Sequence, residues 1–416
     1  MDRIIVRRSG PLEGAVTIGG AKNSVLKLMA ASLLAPGTHV LHRVPRITDV
    51  ACMRELLGSM GVQTSWIGPS SLEIVVADEV EPEAPYELVE KFRASIVVMG
   101  PLLARCGRAR VALPGGDDFG PRPIDMHLRA LEDLGATFTT AHGYIDARAD
   151  HLLGTRLLLE FPSVGATENA LMASVRAKGT TTIDNAAREP EIADLAAYLN
   201  RMGAVILGAG SSTITVEGVD ELHPVEHTVV PDRIEAATFL AALGIAGGEL
   251  TLVDARHEHM DMLIAKLGEM GMRISPDPDG IWAMAPRRLR AVDVSTLPYP
   301  GVATDYKPLL VGMLASADGV GIVTENLFSG RFRYVDELVR MGADIRTEGH
   351  HAVVRGKAVL SGAPVRAPDI RAGAALVVAA LKAEGETVVA DAHHIDRGYE
   401  DLVGKLAAVG ADVRRG

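Results

Sequence analysis

Leu57-Gly58-Ser59-Met60-Gly61-Val62-Gln63-Thr64 is a phrase this chain repeats at intervals of about 70 residues. Its skeleton is Leu, then Met, Leu or Val three residues on, then Gly, then a strand-like run. The copies are Leu57-Met60-Gly61, Leu131-Leu134-Gly135, Leu199-Met202-Gly203, Leu267-Met270-Gly271, Leu338-Met341-Gly342 and Leu406-Val409-Gly410. A second phrase alternates with it, an Ala/Leu/Val-rich helix, a Gly-containing turn and a β-branched run. That phrase occupies Lys27–Val40, Ser95–Val111, Leu171–Ile183, Phe239–Leu252, Leu310–Val323 and Leu376–Val389. A fixed period along the whole length means one supersecondary unit copied six times. In the first phrase the Leu and the residue before Gly face a core. The Gly sits just past the helix end, where positive φ is required.

Composition narrows the function. With 416 residues, two domains are the default, and six units divide into three per domain. Hydrophobic residues make up 48% but aromatics only 4%, which suits Ala/Val/Leu helices on sheets and fits poorly with a protein that stacks bases on aromatic side chains. The formal net charge of −11 removes any general attraction to nucleic acid or anionic membrane. An anionic ligand must then be held by local arginines and lysines. No apolar run reaches the roughly 18 residues of a membrane span, and the N-terminus lacks a signal-peptide pattern, so a cytoplasmic protein is expected. Cys52 and Cys106 stand apart from each other and from histidines, and the 13 His residues show no ligand spacing. No metal or cofactor is expected.

The seam between halves is expected near Val229-Val230-Pro231-Asp232, after the third copy. Arg3–Gly20 precedes the first helix without a partner of its own and is expected to pair with a strand of the last unit. The domains then read as 22–231 and 1–21 with 232–416, with the chain crossing between them twice, a geometry suited to hinged closure around a ligand.

Leu113-Pro114-Gly115-Gly116-Asp117-Asp118-Phe119-Gly120-Pro121-Arg122-Pro123 is the least repeat-like segment. It lacks the order of a P-loop or a dinucleotide fingerprint. It reads either as a solvated connection or as a lid bringing Asp117 and Arg122 to a substrate. Arg93, Arg331, Arg371 and Arg397 sit beside small residues or Asp rather than on regular charged helix faces. Singly each reads as an ion-pair partner; together, in an acidic chain, they suit bidentate holding of carboxylate and phosphate. Lys22 opens the first long helix, where backbone N–H groups also favour an anion. Asp305, Glu189 and Asp232 stand out among the acids, each readable as a cap, an ion-pair partner or a functional group.

The chain resembles the enolpyruvyl transferases, specifically the UDP-N-acetylglucosamine 1-carboxyvinyltransferase branch. The resemblance rests on Gly20-Ala21-Lys22-Asn23, Arg93-Ala94-Ser95, Leu113–Gly116 with Arg122-Pro123, Ser163-Val164-Gly165-Ala166-Thr167 and Asn185–Glu191. It continues through Asp232-Arg233-Ile234, Thr304-Asp305, Thr324-Glu325-Asn326, Arg331-Phe332, Asp369-Ile370-Arg371-Ala372 and His394–Tyr399, all in order. The resemblance implies a two-domain inside-out α/β barrel, three units per domain. It also implies transfer of the enolpyruvyl group of phosphoenolpyruvate to the 3-hydroxyl of a nucleotide sugar. The route is addition–elimination through a tetrahedral ketal with release of phosphate, as the first committed step of peptidoglycan synthesis. Carried over residue by residue, Lys22, Arg122 and Arg397 surround the donor phosphate, and Arg331 and Arg371 its carboxylate. Asn23, Thr304 and Asp305 face the sugar, with Asp305 as the base. Arg93, Arg122, Pro123, Ile124, Asp125, Met126, Ser163, Val164 and Gly165 line the nucleotide side. Glu189, Asp232, Leu327 and Asp369 complete the substrate-binding set.

Two departures from the family pattern matter. Asp117 stands where a Cys is usual, the thiol that acts as acid and is the target of fosfomycin. An Asp delivers a proton too, but its reference pKa of about 3.9 must rise to do so well. Second, Val302-Ala303-Thr304-Asp305-Tyr306-Lys307-Pro308 differs from the family beside the sugar-facing residues, as do Val97 and Ser329-Gly330. These changes leave a second acceptor open, UMP or another uridine nucleotide, as in nucleoside-antibiotic synthesis.

Overall fold

A computed structural model of the chain describes residues 2–90, 93–113, 124–328 and 330–416, with Arg93 described by its backbone alone. The described residues fall into two compact units, 20–113 with 124–230 and 2–19 with 231–416.

The unit built from 20–230 contains three four-stranded sheets. Their strand orders are Glu226–Thr228, Gly37–His42, Leu72–Val76, Gln63–Trp66; then Glu83–Ala84, Arg108–Ala112, Tyr144–Arg148, Thr137–Ala141; then Arg156–Leu158, Thr180–Asp184, Thr213–Glu217, Val205–Leu207. The other unit has three more. They run Leu12–Thr17, Gly248–Val253, Gly280–Ala285, Arg273–Asp277; then Val294–Ser295, Val320–Thr324, His351–Arg355, Asp344–Glu348; then Pro364–Arg366, Glu386–Ala390, Arg3–Arg7, Val413–Arg415. In each of the six the first pair is parallel and the next two are antiparallel. The sequence repeat is therefore a topological repeat.

The N-terminal stretch divides its loyalties. Arg3–Arg7 pairs antiparallel with Glu386–Ala390 and Val413–Arg415, in the last sheet, as the sequence suggested. Leu12–Thr17 does not; it runs parallel to Gly248–Val253 in the fourth repeat's sheet. The reason is arithmetic. The sixth repeat ends with Val413–Arg415 and lacks the middle strand of its hairpin, which Arg3–Arg7 supplies. The following segment then serves as the parallel edge of the next sheet, as in every other repeat.

All six glycines of the first phrase have positive φ, from 84° at Gly342 to 110° at Gly203. In every copy the Gly N–H bonds a carbonyl three residues back, and the next N–H bonds the carbonyl of the phrase's Leu, as Val62 does to Leu57. This double closure satisfies carbonyls orphaned at the helix end and needs a residue that tolerates the left-handed region. The six leucines are at most 1% exposed and the residues before Gly at most 2%. Burying each contributes roughly 1.5–3 kcal/mol.

The second phrase forms the inner helices. In one unit these are Lys22–Ala31, Met99–Cys106 and Val164–Ser174; in the other, Arg233–Ala246, Lys307–Ser316 and Ile370–Ala380. The last three pack on one another and are buried along nearly all their length. A helix apolar on every side is stable only when surrounded, so each unit's sheets lie outside its helices. What polar groups these helices carry is thus confined to their ends or buried in pairs.

Candidate active site

In the unit containing 231–416 the chemistry gathers at the N-terminal ends of the three inner helices. Asp232 caps the Arg233 helix, its Oδ1 accepting the Ile234 and Glu235 N–H groups at 2.7 and 3.2 Å. Asp369 caps the Ile370 helix in the same way, accepting from Arg371 and Ala372 N–H, both at 2.8 Å. Thr304 and Asp305 lie in the turn leading into the Lys307 helix. These capping bonds fix the two Asp side chains as structural partners of the backbone.

Asp305 sits between two guanidiniums. Its Oδ1 is 2.8 Å from Arg331 Nη2, and its Oδ2 is 3.7 Å from Arg371 Nε. Both arginines are buried, whereas the Asp305 side chain keeps a quarter of its surface. Burial pushes the Asp305 carboxyl up, but Arg331 and Arg371, with Arg233 further off, outweigh it and hold it well below the usual carboxylate range. Arg371 Nη1 is buried with no hydrogen-bond partner among the described residues. Its guanidinium carbon lies 5.2 Å from the ring centre of Tyr399, whose hydroxyl is 2.8 Å from Thr238 Oγ1. A cationic pair shared by one carboxylate, with Arg371 in the first turn of its helix, is a site for an anion.

Behind Asp305 lies a second layer, in which Lys307, Glu325 and Arg331 are buried and Thr304 half-buried. Arg331 Nη1 donates to Thr304 Oγ1 at 3.0 Å, and the Thr304 hydroxyl donates to Glu325 Oε2 at 2.7 Å. Glu325 also pairs with Lys307 at 3.0 Å. Arg397 ends the short helix His393–Asp396, half-buried, two residues before Tyr399. Leu327 is half-buried and donates its N–H to Glu325 Oε1 at 2.8 Å. Arg233 donates to the Tyr306 hydroxyl at 3.1 Å.

In the other unit, Lys22 opens its helix and pairs with Asp49 at 2.9 Å. Asn23 follows, half-buried, its carbonyl accepting from Lys27 Nζ at 2.7 Å. Arg93 begins a 3-10 turn, Arg93–Val98. Ile124, Asp125 and Met126 open the helix Asp125–Asp133, while Ser163, Val164 and Gly165 open Val164–Ser174, with Ser163 Oγ accepting from Ala166 N–H. Gly165 brings these two openings together. A Cβ there would meet His127 Cε1 at 2.7 Å, so only glycine leaves room for the ring. Glu189 stands at the start of the helix Pro190–Arg201. Asp117, Arg122 and Pro123 lie outside the described residues, as does the lid stretch beyond Leu113.

Sequence reasoning picked Asp305, Thr304, Arg331 and Arg371, and the structure brings these four together. It missed a buried pair in the other unit, Lys27 and Glu168, 3.4 Å apart. The only signal was a lone charge inside each of two otherwise apolar helices. Burial pushes Glu168 up to about 7, against the pull of Lys27 and with a further push from Glu191 and Glu189. Between pH 4.5 and 7 the unfolded chain has lost this proton while the folded chain keeps it. Stability from this group therefore falls as pH rises through that window, by up to about 3 kcal/mol. Glu168→Gln should flatten the slope, gaining on the wild type between pH 5 and 7.5 in chemical denaturation. A stability difference that stays constant across that range would refute the assignment.

Comparisons with known proteins show the family. The family pattern of EPSP synthase (3-phosphoshikimate 1-carboxyvinyltransferase) matches residues 6–406. The UDP-N-acetylglucosamine 1-carboxyvinyltransferase of Nocardia farcinica is 51% identical, covering 100% of this chain and 98% of its own. The Corynebacterium jeikeium protein of the same name is 49% identical, covering 100% and 99%. Among solved structures, the enolpyruvyl transferase NikO from Streptomyces tendae superposes with a TM-score of 0.89 at 27% identity, covering 100% of this chain and 98% of its own. EPSP synthase from Acinetobacter baumannii shares the fold, at TM-score 0.76 and 18% identity over 100% of both chains. The chain belongs to the EPSP synthase family and is an enolpyruvyl (1-carboxyvinyl) transferase.

Proposed function

We propose that the protein transfers the enolpyruvyl group of phosphoenolpyruvate to the 3-hydroxyl of UDP-N-acetylglucosamine, releasing phosphate, as the first committed step of peptidoglycan synthesis. The observation that carries this reading is the Arg331–Asp305–Arg371 cluster, in a chain about half identical over its full length to proteins named for that reaction.

The cluster suits the chemistry of this transfer. Addition requires the acceptor hydroxyl to lose its proton as its oxygen bonds to C2 of the donor, while C3 gains a proton. Asp305 takes the hydroxyl proton. The resulting ketal carries phosphate and sugar on one carbon; C3 then loses a proton and the C2–O bond to phosphate breaks. Asp305 paired in this way is a weak base, because two guanidiniums stabilise its charge. The donor carboxylate competes for Arg331 and Arg371. As it takes their charge, Asp305 becomes more basic at the moment a base is needed. Lys22, Arg122 and Arg397 serve the phosphate, where cations stabilise the leaving group. Asp117 is assigned the proton delivered to C3.

The acceptor is tested by phosphate release from phosphoenolpyruvate. Release with UDP-N-acetylglucosamine supports the proposal; release with UMP alone replaces it with the second acceptor. No release with either acceptor sinks the enzymatic assignment. The Tyr306-Lys307 departure is weak support for a changed acceptor, since Lys307 is wholly buried against Glu325. Fosfomycin should leave turnover unchanged after prolonged incubation, because a carboxylate is a poor nucleophile toward an epoxide. Intact-mass detection of an adduct on Asp117 would contradict this.

A further inference from the structure

Lys307 lies two residues after Asp305 and begins its helix, yet its side chain turns inward. It and Glu325 are both 0% exposed, 3.0 Å apart. Lys307 Nζ also donates to the Arg331 carbonyl and lies 3.9 Å from the ring centre of Phe332. Glu325 uses both oxygens. Oε1 accepts from the Thr296 hydroxyl at 2.7 Å and from the Leu327 and Phe328 N–H groups at 2.8 and 3.2 Å. Oε2 takes Lys307 and the Thr304 hydroxyl. The bonds close a ring from Lys307 to Glu325 to Thr304 to the Arg331 guanidinium, and back through the Arg331 carbonyl to Lys307. Asp305 hangs on that ring through Arg331 Nη2.

A buried ion pair is a poor device for stability alone, because apolar residues of similar volume often serve as well. This pair reaches both ends of Arg331, its backbone and its side chain. We infer that Lys307 and Glu325 are positioning residues that set where Arg331 and Asp305 stand, and so set the rate of the transfer step. The inference rests on the reaction proposed above.

The pair is also poised to respond to pH. The charged groups facing Lys307 are Glu325, Arg331 and Asp369. Burial lowers Lys307 to about 8, against the pull of Glu325. Burial raises Glu325, but Lys307 and its hydrogen-bond donors bring it below its ordinary value. As pH rises past about 8, Lys307 loses its proton and the ring loses its charged link. Turnover should therefore fall on the alkaline side with an apparent pKa near that value.

The test compares the wild type with Lys307→Met and with the double variant Lys307→Gln/Glu325→Gln, which keeps hydrogen-bonding groups and removes both charges. kcat, KM for each substrate, the pH–rate profile and the melting temperature are measured for all three. Lys307→Met should lose at least tenfold in kcat with less than threefold change in KM for the acceptor. The double variant should recover part of that loss and lack the alkaline limb near pH 8. A folded double variant with wild-type kcat and the same alkaline limb overturns the inference, whatever Lys307→Met does, and leaves the reaction itself standing. A wild type that releases no phosphate with either acceptor overturns the reaction instead. The positioning role is then read from the rise in melting temperature that phosphoenolpyruvate produces. A double variant that keeps the full rise refutes it, and one that loses it supports it.

Discussion

Asp305→Asn should bind phosphoenolpyruvate more tightly than the wild type while turning over about 10³-fold more slowly. The loss of rate follows from removing a positioned base, typically worth 10² to 10⁴. The gain in binding is the less obvious half. Asp305 occupies the cationic site, 2.8 Å from Arg331 and 3.7 Å from Arg371. The donor must share those guanidiniums with it. Asparagine offers no charge, so the donor meets no competitor and its Kd should fall several-fold. The same substitution leaves two buried cations short of a counter-charge, a cost of about 2–3 kcal/mol after allowing for the partial exposure of Asp305. Phosphoenolpyruvate should therefore raise the melting temperature of the variant more than that of the wild type. Calorimetric titration and thermal melts measure both effects. Weaker donor binding by Asp305→Asn would show that the carboxylate and the donor do not compete, and the account of how the base is switched on would fall with it.

Arg331→Lys should lower kcat/KM for phosphoenolpyruvate by 10² to 10³, roughly 3–4 kcal/mol of transition-state stabilisation. Charge is kept, so a purely electrostatic role predicts a small change. The larger loss is expected because Arg331 makes directional contacts from one rigid plane: Nη1 to Thr304 and Nη2 to Asp305. An ammonium lacks the fork that spans these partners. The substitution frees Thr304 and Asp305 together, so kcat should fall as well as donor affinity. Steady-state kinetics with each substrate varied in turn separates the two. A variant within threefold of wild type in both parameters would reduce Arg331 to a counter-ion.

Much of the architecture is legible in the sequence. The Leu and Gly of the repeated phrase obey local rules, since helix periodicity and the need for positive φ at the helix end act within a few residues. All six copies accordingly show buried leucines and left-handed glycines. Asp305, Arg331 and Arg371 were legible as a set through family resemblance. Lys27 and Glu168 were not, because each looks like an ordinary charge on a helix until the burial of both helices is known. Lys307 was legible as a departure beside Asp305, but its sequence position points toward the acceptor while the fold turns it into the core.

Chain order alone settled the number of repeats, where their helices stop, and which residue types an anionic donor would require, because each depends on neighbours a few positions away. Folding decided which charges face one another: Asp305 with Arg331 and Arg371, Lys307 with Glu325, and Arg3–Arg7 as the missing strand of the sixth repeat. Arg371 belongs to the repeat after that of Asp305, and Lys307 and Glu325, though in one repeat, sit at the ends of different elements. Ion pairing and burial depend on distance in space, and no local pattern encodes that distance.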